Sequence, residues 1–218
     1  MSGPATGGPG LLVTFEGPEG SGKSTLIAGL VAHLRARGIE PVVTREPGGT
    51  EIGERIRAIL LDPASADMTP EAELPLMVAS RAQLVRRTIR PALAAGSLVL
   101  CDRFADASVA YQGYGRGLGR ELVDRLNAVA LEGLAPDLTL LCLLPPEAGL
   151  ARIAGRAPDR LDAERLDFHR RVCDGYRALA AADPRRFRVL DAAGGPQQTL
   201  DAALAALRGL EHGLLSTL

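Results

Sequence analysis

The stretch Gly17-Pro18-Glu19-Gly20-Ser21-Gly22-Lys23-Ser24 constrains this chain more than any other, because it satisfies G-x-x-x-x-G-K-[ST]. Leu11 to Phe15, just before it, is a short apolar and partly β-branched run that reads as a buried strand. From Ser24 to Arg37 the pattern turns helical, with Leu26, Leu30 and Leu34 on one face and Gly38 as a stop. A glycine-rich turn between a strand and a helix lets backbone N–H groups point inward at an anion, and the helix amino terminus adds a favourable dipole. On this mechanism Lys23 reaches the β- and γ-phosphates of a nucleotide and the Ser24 hydroxyl holds Mg2+.

Composition sharpens that reading at one position. Of the 25 basic residues, Lys23 is the only lysine and the other 24 are arginines. A genome biased towards arginine accounts for the 24, and leaves the single lysine to be explained. Lysine is a compact charge on a flexible stem, whereas arginine is a wide planar fork, so a tight phosphate loop has room only for the first. The formal net charge of -1 argues against broad nucleic-acid binding. Cys101, Cys142 and Cys173 form no CxxC pair and read as reduced, buried thiols of a cytoplasmic protein. No apolar run reaches the roughly 18 residues that a membrane span needs.

At 218 residues the chain has the length of one domain, or at most two. Residues 1–10 are small and Gly/Pro-rich, and read as a flexible tail rather than a targeting signal. Further strands are expected at Pro41 to Thr44, Ser97 to Cys101, Asp137 to Leu144 and Phe187 to Leu190. Thr50 caps a helix running to about Leu61, and a long helix spans Glu71 to Ala95, with Pro91 marking a kink or break. Other helices are expected from about Gly119 to Leu134, Glu164 to Ala182 and Pro196 to Leu210. Apolar strands alternating with helices indicate a parallel sheet covered on both faces, whose ligands sit at the carboxyl ends of the strands. The candidate functional turns begin at Glu16, Arg45 and Asp102, each just after a strand.

The loop alone leaves the acceptor open among GTPase switches, ATPases and kinases of small metabolites. A GTPase carries N-K-x-D for guanine, and with Lys23 the only lysine that motif is absent. His33, His169 and His212 are scattered over helical regions and read as surface residues, and no Ser-His-Asp or Cys-His arrangement is visible.

Four segments taken together narrow the choice, the loop itself and three more. Phe15-Glu16-Gly17 through Thr25, Thr44-Arg45-Glu46-Pro47-Gly48-Gly49-Thr50, Asp102-Arg103-Phe104 and Ala110-Tyr111-Gln112-Gly113 closely resemble the motifs of thymidylate kinases, in the same order and approximate spacing. The resemblance covers nearly the whole chain. It implies an α/β fold of the P-loop NTPase type, with a five-stranded parallel sheet, helices on both faces and a short lid. Residues 11–214 would form a single nucleoside monophosphate kinase domain that phosphorylates dTMP to dTDP in dTTP synthesis. ATP is then the co-substrate, Mg2+ the cofactor, and a cytoplasmic homodimer the assembly.

Residue by residue, the resemblance implies that Gly17 to Thr25 hold ATP, and that Glu19 also faces the deoxyribose 3'-hydroxyl. Arg103 would hold the acceptor phosphate and Arg81 the thymine carbonyl, with Ser108 and Gln112 at the remaining base-side positions. Asp102 would support magnesium through water, unless it caps the following helix. Arg45 would contact phosphate, or pair with Glu46 or Asp102 as scaffold, and Tyr111 reads as packing. Met77 stands where the family commonly stacks a phenylalanine on the base, which opens the alternative of a related kinase with another base preference. A non-catalytic nucleotide-binding module is the remaining alternative. Bacterial-type members with no basic residue among the variable P-loop positions supply arginines from a lid. Residues 149–162 fit that lid, with Arg152 or Arg156 brought to the transferring phosphate.

Overall fold

The computed structural model describes residues 10–155 and 157–218. Along the chain β1 (Leu11–Glu16), α1 (Lys23–Arg35), β2 (Val42–Arg45), α2 (Glu51–Leu61) and α3 (Pro70–Leu84) come first. Then α4 (Arg90–Ala94), β3 (Leu98–Asp102), α5 (Ala105–Ser108), α6 (Arg120–Leu131) and β4 (Leu138–Leu143) follow. The chain ends with α7 (Pro146–Ile153), α8 (Leu166–Ala182), β5 (Phe187–Asp191) and α9 (Pro196–Arg208). The strands form one sheet in the order β2-β3-β1-β4-β5, and every neighbouring pair is parallel.

Alternation along the strands divides the core. Leu11, Val13 and Phe15 of β1 join Leu98, Leu100, Leu138 and Leu140 against α1 and α9. Leu12, Val99 and Cys101 point to the opposite face, against Leu84, Val85 and Ile89. Leu141 of β4 meets a third cluster that includes Tyr111, Phe168, Val172 and Tyr176. Covered on both faces, the strands read as continuous apolar runs, as a parallel sheet requires.

Register sets where the loops emerge. β1 pairs with β3 from Leu11↔Leu98 to Phe15↔Asp102, and β2 with β3 up to Arg45↔Asp102. The turns after these strands therefore start side by side. They are tied together as Glu46 N donates to Asp102 O (2.9 Å) and Arg103 N to Phe15 O (2.9 Å).

Two expectations need correcting. The helix expected from Glu71 to Ala95 is α3, a π-helical stretch at Val85–Ile89 and then α4, so the chain stays helical but changes pitch. Pro91 is the second residue of α4, directly after the π-helical stretch, so the change of pitch falls just before the proline. The second is an omission. Ala105–Ser108 is helical and Val109–Gly115 continues it as a π-helix, carrying the Ala110-Tyr111-Gln112-Gly113 segment.

Candidate functional site

A cleft of about 670 Å³ opens at the carboxyl edge of the sheet, lined by the turns after β1, β2, β3 and β5 and by residues beyond α7. That volume suits a nucleotide-sized ligand. At its floor lies the glycine-rich turn. Gly22 caps α1 with φ 84°, in the left-handed region that favours glycine. A Cβ at Gly20 would lie 2.1 Å from Gly149 O, so the turn and α7 meet backbone to backbone.

Lys23 begins α1 and folds back over the turn. Its Nζ donates to Gly17 O (3.0 Å), Pro18 O (2.9 Å) and Ser21 Oγ (3.3 Å). Burial, reinforced by Arg103, pulls its pKa down to about 8. Arg103 approaches the same carbonyl from the other side: its Nη1 donates to Gly17 O (2.9 Å) and to Tyr176 Oη (3.2 Å), and its Nη2 to Glu19 Oε1 (3.0 Å). The Arg103 backbone has φ 66°, uncommon for a residue with a Cβ and characteristic of constrained sites.

Glu19 gathers a cluster of its own. Tyr111 Oη donates to its Oε1 (2.5 Å), and His169 Nδ1 lies 3.5 Å from its Oε2. Burial alone would push the Glu19 carboxyl up, but Arg103, His169, Lys23 and Tyr111 outweigh it and hold it at about 2. Glu16, three residues earlier, goes the other way. Burial and the nearby Asp106 carboxylate push it up to about 8, although Phe104 N (2.7 Å) and Tyr176 Oη (2.8 Å) donate to it.

Arg81 forms the deep wall and is 1% exposed. Its Nε donates to Glu46 Oε2 (2.8 Å), Nη1 to Asn127 Oδ1 (2.5 Å), and Nη2 to Phe104 O (3.1 Å) and Ser108 Oγ (3.0 Å). Met77 sits one helical turn back and lines the cleft with it.

Residues 15–202 match the family model for thymidylate kinase. The chain belongs to the thymidylate kinase family. A thymidylate kinase of Solidesulfovibrio magneticus is 53% identical over 213 residues, covering 94% of this chain and all of that protein. One of Deinococcus radiodurans is also 53% identical, over 90% of this chain and 95% of its own. One of Desulfovibrio desulfuricans is 51% identical over 94% of this chain and all of its own.

In this member of the thymidylate kinase family, Glu19, Ser24, Met77, Arg81, Asp102, Arg103, Ser108 and Gln112 all line one cleft. Arg152, at the end of α7, reaches the phosphate loop: Nη1 donates to Gly20 O (3.3 Å) and Nη2 to Ala192 O (3.0 Å). Arg156 lies outside the described residues. Arg160 is buried, its Nε on Leu60 O (2.8 Å) and its Nη2 on Glu73 Oε2 (2.5 Å).

Arg45 lines the cleft but pairs with neither Glu46 nor Asp102. Glu46 turns inward to Arg81, and Arg45 Nη2 meets Glu54 on α2 at 3.0 and 2.9 Å. Asp102 does not cap α5, whose N-cap is Phe104. Tyr111 does more than pack, through its bond to Glu19 and the Arg103 guanidinium carbon 4.8 Å from its ring centroid. His169, expected at the surface, is buried because α8 turns that face towards the loop.

The donor set fits Mg2+. Asp102 Oδ1 is buried without a hydrogen-bond partner among the described residues, in the same cleft as Ser24. Among the described residues no group of three or more His, Cys, Asp or Glu is placed to hold a metal. A few oxygens of this kind suit a cation that keeps its waters and takes phosphate oxygens, as Mg2+ does.

Sequence reasoning missed Arg57, His169 and Tyr176, and placed Glu16 at the start of a functional turn without giving it a role. Arg57 lines the cleft with Nη1 on Pro47 O (2.9 Å). His169 and Tyr176 are seven residues apart, two turns of one helix, and that spacing was the available signal.

Proposed function

We propose that the protein transfers the γ-phosphoryl group of ATP to dTMP, giving ADP and dTDP. The observation that carries this is the meeting of Lys23 and Arg103 on the single carbonyl of Gly17. Two cations so placed hold a donor phosphate and an acceptor phosphate side by side. A protein that only binds ATP has no use for the second.

The acceptor oxygen belongs to a phosphate whose second pKa is about 6, so it is anionic near neutral pH and needs no general base. Positioning and charge neutralisation carry the step. Lys23 and the loop amides hold the donor, Arg103 and Arg57 the acceptor, and Arg45 adds charge at the rim. Arg152, whose guanidinium already meets the phosphate loop at Gly20 O, would serve the transferring group from the lid expected over residues 149–162, a role the family resemblance also gives to Arg156. Ser24, and Asp102 through water, would hold Mg2+, which would supply charge neutralisation to the donor phosphates. Glu19 receives the sugar hydroxyl, and Arg81, Ser108, Gln112 and Met77 receive the base.

Residues 11–214 make up one kinase domain, which works in the cytoplasm as a homodimer with no nucleic-acid or membrane partner. Side chains supporting the homodimer are Ile52 and Ile59 of α2 and Leu122 and Val129 of α6, exposed by 49%, 50%, 42% and 72%. Each pair is seven residues apart, so each lies on one face of its helix.

The deciding experiment is ADP release, measured by a coupled assay with ATP and Mg2+ across dTMP, dUMP, dCMP, AMP and GMP. Turnover with dTMP is expected to lead. Met77 favours one rival, a related kinase of looser base choice, and preference for another base would establish it. No turnover with any acceptor would overturn the kinase reading.

A further inference from the structure

Glu73, in the first turn of α3, is fully buried yet does not line the cleft. Its carboxylate collects donors from three side chains on two separate parts of the chain. Oε1 accepts from Gln112 Nε2 (2.7 Å) and Arg116 Nε (3.3 Å), while Oε2 accepts from Arg116 Nη2 (2.9 Å) and Arg160 Nη2 (2.5 Å). Arg116 is braced in turn by Glu164 (2.5 Å) and by stacking over the Phe168 ring, 4.7 Å from its centroid. Burial works against the charge on Glu73, but the Arg116, Gln112 and Arg160 contacts outweigh it and hold the carboxyl below its ordinary range.

An ionised carboxylate has lone pairs and no proton to give. Gln112 therefore has one way to face it, with the NH2 group. The amide is planar and carries both heteroatoms on one carbon, so its carbonyl oxygen is turned away from Glu73. Among the described residues that oxygen accepts no hydrogen bond, and Gln112 lines the cleft. Arg81, a pure donor, lines the same cleft and is held by Ser108 Oγ, four residues before Gln112 on the same helical run. Its five N–H groups are nearly all committed to Glu46, Asn127, Phe104 O and Ser108, leaving one on Nη1.

We propose that Glu73 is a positioning residue for base specificity: it fixes the Gln112 amide so that the cleft presents an acceptor as well as the Arg81 donor. The inference rests on reading the protein as a nucleoside monophosphate kinase. A pyrimidine whose ring N–H adjoins a carbonyl, as in thymine or uracil, matches that pattern. Cytosine offers a bare ring nitrogen beside an amino group and reverses it at both points. A buried site built for one pattern rejects the other strongly, because its polar groups are left unpaired. Arg160 comes from the segment between α7 and α8, so that segment and the base site share one carboxylate.

The test uses the full chain and the ratio of kcat/KM for dTMP over 5-methyl-dCMP, two substrates that differ only at ring N3 and position 4. Glu73→Gln is close in shape, but its amide both donates and accepts, which frees Gln112 to turn over. The ratio is expected to fall by about tenfold or more, through KM for the nucleotide, with KM for ATP little changed. Glu73→Asp remains an acceptor only and is expected to keep the wild-type ratio even where kcat drops. An unchanged ratio in Glu73→Gln, or an equal fall in Glu73→Asp, overturns the proposal in favour of simple packing.

Should Glu73→Gln fail to fold by circular dichroism, the wild-type protein decides. The N3 imino proton of 15N-labelled dTMP must then appear in the NMR spectrum of the complex as a slowly exchanging, hydrogen-bonded proton, and its absence overturns the proposal. A wild-type protein inactive on every pyrimidine nucleotide would overturn the kinase reading instead.

Discussion

Burial and the neighbouring Arg103 guanidinium bring the Lys23 ammonium down to about 8, and a bound triphosphate favours its charged form. Below about 8 the free protein already carries the proton. Above it, binding ATP must first take a proton up. ATP affinity is therefore expected to be flat below pH 8 and to weaken by up to about tenfold per pH unit above it. Calorimetry in buffers of different ionisation enthalpy checks this, since proton uptake makes the apparent enthalpy depend on the buffer near pH 8. A buffer-independent enthalpy would contradict it. Lys23 was legible in the sequence because the phosphate loop is local, its chemistry contained in eight consecutive residues, whereas a role for Glu19 came only with the family resemblance. His169 and Tyr176 were not legible, because the groups they meet, Glu19 and Glu16, lie far away in sequence.

Thr50 behaves as its type and position predicted, accepting a hydrogen bond from Gly53 N at 3.0 Å and capping α2. Thr50→Ala is expected to cost about 1 kcal/mol and to lower Tm by roughly 2–4 °C, as differential scanning calorimetry will measure. An unchanged Tm would mean that the cap is replaced locally. The five strands and the helices α1, α2, α6, α8 and α9 appeared close to where periodicity put them. The helical run from Ala105 to Gly115 did not, because Gly113, Gly115, Gly117 and Gly119 make this stretch read as loop. Tertiary packing decides it. α8 lies so close that a Cβ at Gly175 would come within 2.9 Å of the Tyr114 ring.

Across the molecule, the exposed apolar residues of α2 and α6 are the surface on which the homodimer proposal stands. Val129→Asp places a charge on the most exposed of them without touching the core. Light scattering is expected to show a change from dimer to monomer, while circular dichroism stays as in the wild type. A wild-type monomer would remove the proposal outright. No described helix is long and apolar enough to cross a membrane. What the sequence determined by itself was chemistry held in short segments: a phosphate loop between strand and helix, alternating elements, a parallel sheet, and motifs placed at strand ends. These follow from local spacing and from burial on two faces. Only the tertiary structure decided which charges meet. Arg103 reaches the Gly17 carbonyl across 86 residues, and Glu73 receives Gln112 across 39 and Arg160 across 87. Such pairs have no sequence period, because the sheet order and the packing of helices on it bring them within hydrogen-bond distance.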